Sequence, residues 1–194
     1  MQTLGISDST GRSESRVKSL FWPSIESGYD VDYLAVQGYW VCTLVAALSF
    51  LVLLVTGQPI LAAVVFLFFY LGGVGVREHS RFAATVVLVY YVIDTLVSLG
   101  ALVASPGGIV MRVIITALLL SNLRATWIAA HWQGGSDEAA LPLRLADTWR
   151  DKFANTWPTW LWPKMRVVYY VLSTGLLLLT GLGVVAIALG RAHR

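Results

Sequence analysis

Asp94 is the residue whose chemistry most needs explaining. It interrupts the otherwise uncharged stretch Phe82–Ser105 near its middle. If that stretch crosses a bilayer, an ionised carboxylate there costs at least about 2.5–3.5 kcal/mol on insertion scales, so it must face protein and be neutral, paired or hydrated. Its neighbours follow from hairpin arithmetic. Ser105-Pro106-Gly107-Gly108 joins this stretch to the next, Ile109–Trp132. Folding the chain back about Pro106 sets Leu118 level with Asp94. Ser121 and Asn122 then fall within about one turn, and Arg124 lies roughly 9 Å further along the axis. Tyr90, one turn before Asp94, can offer its hydroxyl. Asp94, Tyr90, Ser121, Asn122 and Arg124 therefore make a candidate intramembrane polar cluster.

That cluster could hold a proton or cation, or it could clasp two helices together. One acid without a second acid or a histidine at depth makes a poor relay, which favours the clasp. Arg112 and Arg124 bracket the run Val113–Leu123, and each can snorkel to its own interface. The remaining reactive types do not assemble. His79, His131 and His193 stand apart, with no pair three or four residues apart on one helix, so neither a metal nor a haem site is expected. Cys42 is the single cysteine and sits in an apolar run, as a packing thiol. H-E-x-x-H, G-x-S-x-G, P-loop and C-x-x-C patterns are absent. No catalytic residue and no cofactor is expected. Gly72, Gly73 and Gly75 do not form a phosphate loop and instead suit close helix contact or a bend.

The elements that must position these residues follow from composition. The chain has 194 residues, 57% of them apolar and only 13% charged. A soluble domain carries about 25% charged residues. This excludes disorder, a collagen-like repeat and a nucleic-acid-binding domain, and argues against a soluble enzyme. The class is an all-α integral membrane protein.

Five stretches read as transmembrane helices: Tyr33–Gly57, Pro59–Val76, Phe82–Ser105, Ile109–Trp132 and Val167–Gly190. Short Gly- and Pro-containing links make the first four into two tight hairpins. A C-terminal helix completes the set. With the N-terminus in the cytoplasm, eleven of the fourteen basic residues lie on that side, so the expected topology is N-in and C-out. No signal peptide is read, and a bacterial inner membrane is the expected location. Residues 1–32 form a polar N-terminal segment, mobile over Met1–Glu14. Residues 33–132 form the four-helix region, 133–166 a cytoplasmic linker, and 167–194 the fifth helix and tail.

The linker carries its own pattern. Leu141, Leu145, Trp149, Phe153 and Trp157 recur every four residues, which predicts an amphipathic helix on the membrane surface, begun near Pro142 and ended by Pro158. Arg77, Arg81, Arg150, Lys152, Lys164 and Arg166, with Trp149, Trp157, Trp160 and Trp162, are candidate contacts for anionic headgroups.

The function read from these features is a non-enzymatic multi-pass membrane protein, a structural or accessory subunit. Its partners are anionic membrane lipids and a protein partner or a second copy, with no nucleic acid. The alternatives are a small transporter or channel using Asp94, or a lipid-binding or lipid-modifying protein.

Overall fold

The computed structural model describes residues 21–98, 106–132 and 143–192. The N-terminal segment before residue 21, most of the link after α3, Leu141, Pro142 and His193 lie outside the described residues. The elements are α1 (Gly28–Val55), α2 (Pro59–Arg77), α3 (Arg81–Val97), α4 (Pro106–Trp132) and α5 (Trp149–Asp151). A π-helical turn (Lys152–Thr156) and α6 (Trp157–Ala192) follow. The last three run on as one rod. No strand occurs among the described residues.

Four helices are long and apolar enough to cross a membrane: α1, α2, most of α4, and the rod over Trp149–Ala186. The expected count was five. The remaining stretch is helical as α3, which carries Asp94 and is 17 residues long within the described residues.

Helix boundaries follow local chemistry. α1 begins at Gly28, five residues before the expected Tyr33, because Asp30 reaches back to its start. The Asp30 carboxylate accepts from the N–H groups of Glu26 and Ser27, at 3.1 Å each. A carboxylate there satisfies orphan donors and complements the positive end of the helix dipole. Asp30 and Asp32 thereby become helical residues. The α1–α2 turn uses Gly57 at φ +76, and Pro59 occupies the first position of α2, where its missing N–H costs nothing. Ser80 caps α3 by accepting from Ala83 N–H at 3.3 Å.

The linker differs from its expected form. Residues 143–148 are not helical. Helix begins only after Thr148, whose hydroxyl accepts from Asp151 N–H at 3.1 Å while the Asp151 carboxylate accepts from Thr148 N–H at 3.2 Å. This capping box fixes the start at Trp149. Nor does Pro158 end the helix. The π turn just before it widens the hydrogen-bond ladder, and the chain continues into α6. In place of the expected amphipathic surface helix, residues 143–148 form an irregular strap, followed by the first turns of a long rod.

α2 lies at the centre, packed against α1, α3 and α6, while α4 closes the other side against α1 and α3. More than half of the α2 span is buried, against about a tenth of the rod. Small residues let the neighbours approach. A Cβ at Gly75 would sit 2.6 Å from Ala83 Cβ, and one at Gly73 would sit 2.7 Å from Cys42 Cβ. The α2 glycines therefore serve close helix contact, as membrane interfaces favour.

Candidate functional site

Among the described residues, the densest polar site lies where α2 ends. Arg77 is the last residue of α2, and its side chain is fully buried. Nη1 donates to Asp32 Oδ1 at 2.6 Å and Nη2 to Asp32 Oδ2 at 3.2 Å, a two-point pairing with α1. Nη2 also donates to Asn155 Oδ1 at 2.8 Å, and Nε to the Ala154 carbonyl at 3.0 Å. The last contact has a local cause. An α-helix would give that carbonyl to the N–H of residue 158, but residue 158 is proline and has none. Pro158 thus removes one competing donor, and Arg77 Nε supplies another.

A second guanidinium extends the network. Arg144, in the strap, donates to Glu78 Oε1 at 2.6 Å, to Thr159 Oγ1 at 3.0 Å and to the Arg77 carbonyl at 3.0 Å. Asn155 Nδ2 donates to the Leu145 carbonyl at 2.7 Å. The α2–α3 loop, the start of α1, the strap and the rod are thereby tied at one point. Two carboxylates face two guanidiniums, so the network is formally neutral.

His79 lies in that loop with a left-handed backbone, φ 55. Its Nε2 is 3.9 Å from Asp32 Oδ1, and neither ring nitrogen has a hydrogen-bond partner among the described residues. Burial, then the nearby Arg144 guanidinium, pushes the imidazole pKa down to about 4. It is neutral at physiological pH.

The cluster expected around Asp94 is distributed differently. Asp94 pairs with Arg112: Nη1 is 2.6 Å from Oδ2 and 3.2 Å from Thr95 Oγ1, and the guanidinium lies 5.8 Å from the Tyr91 ring centre. Asn122 instead reaches α1, donating to the Leu34 carbonyl at 2.7 Å, beside Gly38. Arg124 donates to the Pro23 carbonyl at 3.0 Å and stands over Trp22 at 4.8 Å. Ser121 is buried with its hydroxyl unpaired among the described residues. Tyr90 packs on Phe68 and Phe69. Asp94, Asn122 and Arg124 thus secure three separate contacts: α3 to α4, α4 to α1, and α4 to the N-terminal segment.

The candidate headgroup contacts also separate. Arg77 is enclosed in the network and has no open face. Trp162 is buried against Gly75 and Tyr169. Arg81 stands over Trp127 at 5.8 Å. Arg150, Lys152, Lys164, Arg166, Trp149, Trp157 and Trp160 are exposed on the rod. Lys164 Nζ sits 3.5 Å from the Trp160 ring centre, and Trp160 lies 5.2 Å from Trp157.

Sequence reading missed Asp32, Arg144 and Asn155. The one available signal was three adjacent titratable residues, Arg77-Glu78-His79, in a very short loop. No group of three metal-ligating side chains occurs among the described residues. No family model, curated protein or solved structure matches the chain.

Proposed function

We propose that the chain is a non-enzymatic, five-span membrane protein that serves as a structural or accessory subunit. In this reading α3 is the fifth crossing, placed between α2 and α4. The N-terminus and the α2–α3 loop face the cytoplasm, the C-terminus lies on the opposite side, and the setting is a bacterial inner membrane. The basic residues around the loop and rod support that orientation through the positive-inside rule.

The observation that carries the functional reading is how the buried charge is used. Arg77 is fully enclosed and its guanidinium donates to Asp32, Asn155 and Ala154, on two other elements. A group so occupied holds segments together and is not available to a substrate. Asp94, the carboxylate on which the transporter reading rests, is paired through Oδ2 with Arg112.

Native mass spectrometry after gentle extraction from the source membrane tests the proposal. The expected result is a reproducible second polypeptide bound to the chain. The proposal is overturned if the purified chain alone moves a solute into liposomes and Asp94→Asn abolishes that movement with the fold intact.

A further inference from the structure

We propose that the outward face at the membrane end of the rod is a seat for an anionic phospholipid. The inward stripe of the rod, Ala154, Pro158, Trp162, Tyr169 and Ser173, is buried. Trp157, Trp160 and Lys164 recur at helical spacing on the other side and are exposed, whereas Arg166, two residues further, stands about 200° round the helix from Lys164 and belongs to another face. Lys164 and Arg166 form no ion pair among the described residues. The exposed acid Asp147 and its neighbour Asp151 lie at the far end of the linker, and Asp151 is engaged with Thr148. From Lys164, Asp151 is about 20 Å away along the axis at helical rise. Glu78, which meets Thr159, is already engaged by Arg144. Among the described residues Lys164 is therefore left without counter-charge.

Charge and polarity change together at this place. Immediately beyond Arg166 the chain is uncharged through Gly190, and Val167 and Val171 are exposed on the rod. A phosphate next to Lys164 would lie at the water boundary, with its acyl chains along Val167 and Val171, which share the Lys164 face. The indole of Trp160, already under the ammonium at 3.5 Å, holds Lys164 at that height. Tryptophan favours this level because its ring is apolar and its N–H is wet. The positive-inside rule accounts for the location of these charges. It does not require that the inserted protein prefer one lipid class over another, and a seat does.

The experiment uses the full chain in detergent micelles, supplied with equal amounts of phosphatidylglycerol and phosphatidylcholine and read by native mass spectrometry. Wild type is expected to retain the anionic lipid in excess, by roughly fivefold for the one basic side chain engaged. Lys164→Gln should retain both lipids equally, whereas Arg166→Gln, on another face, should keep the preference; a loss in Arg166→Gln alone overturns the seat. Trp160→Phe, which keeps both charges, should lower the preference without removing it. Equal retention by wild type overturns the seat. So does an unchanged preference in Lys164→Gln with unchanged helix content by circular dichroism. If Lys164→Gln does not fold, wild type in about 0.5 M salt decides, since a preference made by an exposed charge must fade under screening. The lipid result and the search for a bound polypeptide are read separately, so either proposal can fail alone.

Discussion

The Arg77 guanidinium meets the Asp32 carboxylate at two points, 2.6 and 3.2 Å, across 45 residues of sequence and with the arginine fully buried. Taking such charges from water is expensive, and the pair gains little net stability over an apolar replacement. Its meaning is specificity, since only one register of α1 against α2 lets both ends meet.

Removing one end leaves the other buried and uncompensated. Asp32→Ala and Arg77→Ala are each expected to cost about 3–5 kcal/mol. The Asp32→Ala/Arg77→Ala double variant should lose less than the two single losses combined. Reversible unfolding in mixed micelles, followed by tryptophan fluorescence, measures this. Strict additivity of the two losses would remove the pair as a coupling element.

How much of this was legible in the sequence depends on range. Apolar runs placed α1, α2 and α4 well, because a bilayer-length helix needs little beyond length and hydropathy. The same rule hid Asp32. Reading spans as uncharged runs starts the first helix at Tyr33, whereas the Asp30 carboxylate starts it at Gly28 and carries Asp32 inside. Its partner is set by tertiary packing, which no local period encodes. Asp94 was recognised, but its partner was misplaced. Folding the chain symmetrically about Pro106 set it against Leu118. The observed partner, Arg112, is six residues nearer the turn, at a place the arginine had been expected to leave for the interface.

The strap and rod show a second limit. A four-residue spacing of apolar side chains from Leu141 to Trp157 looks helical, yet residues 143–148 are not. The Arg144 and Asn155 hydrogen bonds to the α2–α3 loop and to the Leu145 carbonyl tie the strap to the loop and the rod. Tertiary contacts have overridden a local pattern.

Acid should loosen the network through His79. Its pKa is about 4 in the folded chain, against 6.5 when unperturbed. A depressed folded value means that the unfolded chain binds the proton first. The stabilising contribution is therefore complete above pH 6.5 and is lost as pH falls from 6.5 to 4. The upper bound on that loss is about 3 kcal/mol. His79→Asn, which tolerates the left-handed backbone and does not titrate there, should flatten the slope. Melting temperatures at half-unit pH steps compare the two, and parallel slopes would dismiss His79 as the cause.

Close approach at the centre of the bundle gives a test with its own control. A Cβ at Gly75 meets Ala83 Cβ at 2.6 Å and Trp162 Cη2 at 2.5 Å, whereas one at Gly181 meets nothing within 4 Å. Gly75→Ala is expected to cost about 1–3 kcal/mol, as overpacking does. Gly181→Ala should cost nothing, since alanine suits a helix better than glycine. Equal effects at the two sites in thermal unfolding would mean that α2, α3 and α6 do not pack this closely.

The Asp94–Arg112 pair should behave as a weaker relative of Arg77–Asp32, for a reason visible in its exposure. The Asp94 side chain is 46% uncovered and that of Arg112 is 25% uncovered, so the protein itself encloses neither charge as it encloses Arg77. Arg112→Gln leaves Asp94 with only part of its compensation. Asp94→Asn leaves Arg112 with Thr95 and the Tyr91 ring. The arginine loss should therefore be the larger of the two, and Asp94→Asn/Arg112→Gln should recover part of it. The coupling is expected at about 1 kcal/mol, below that of the enclosed pair. A double-mutant cycle in bicelles gives the number. A coupling as large as that of Arg77 and Asp32 would show that the bilayer seals this site as thoroughly as the protein seals the other, and Asp94 would again become the costly charge that its position in the sequence suggests.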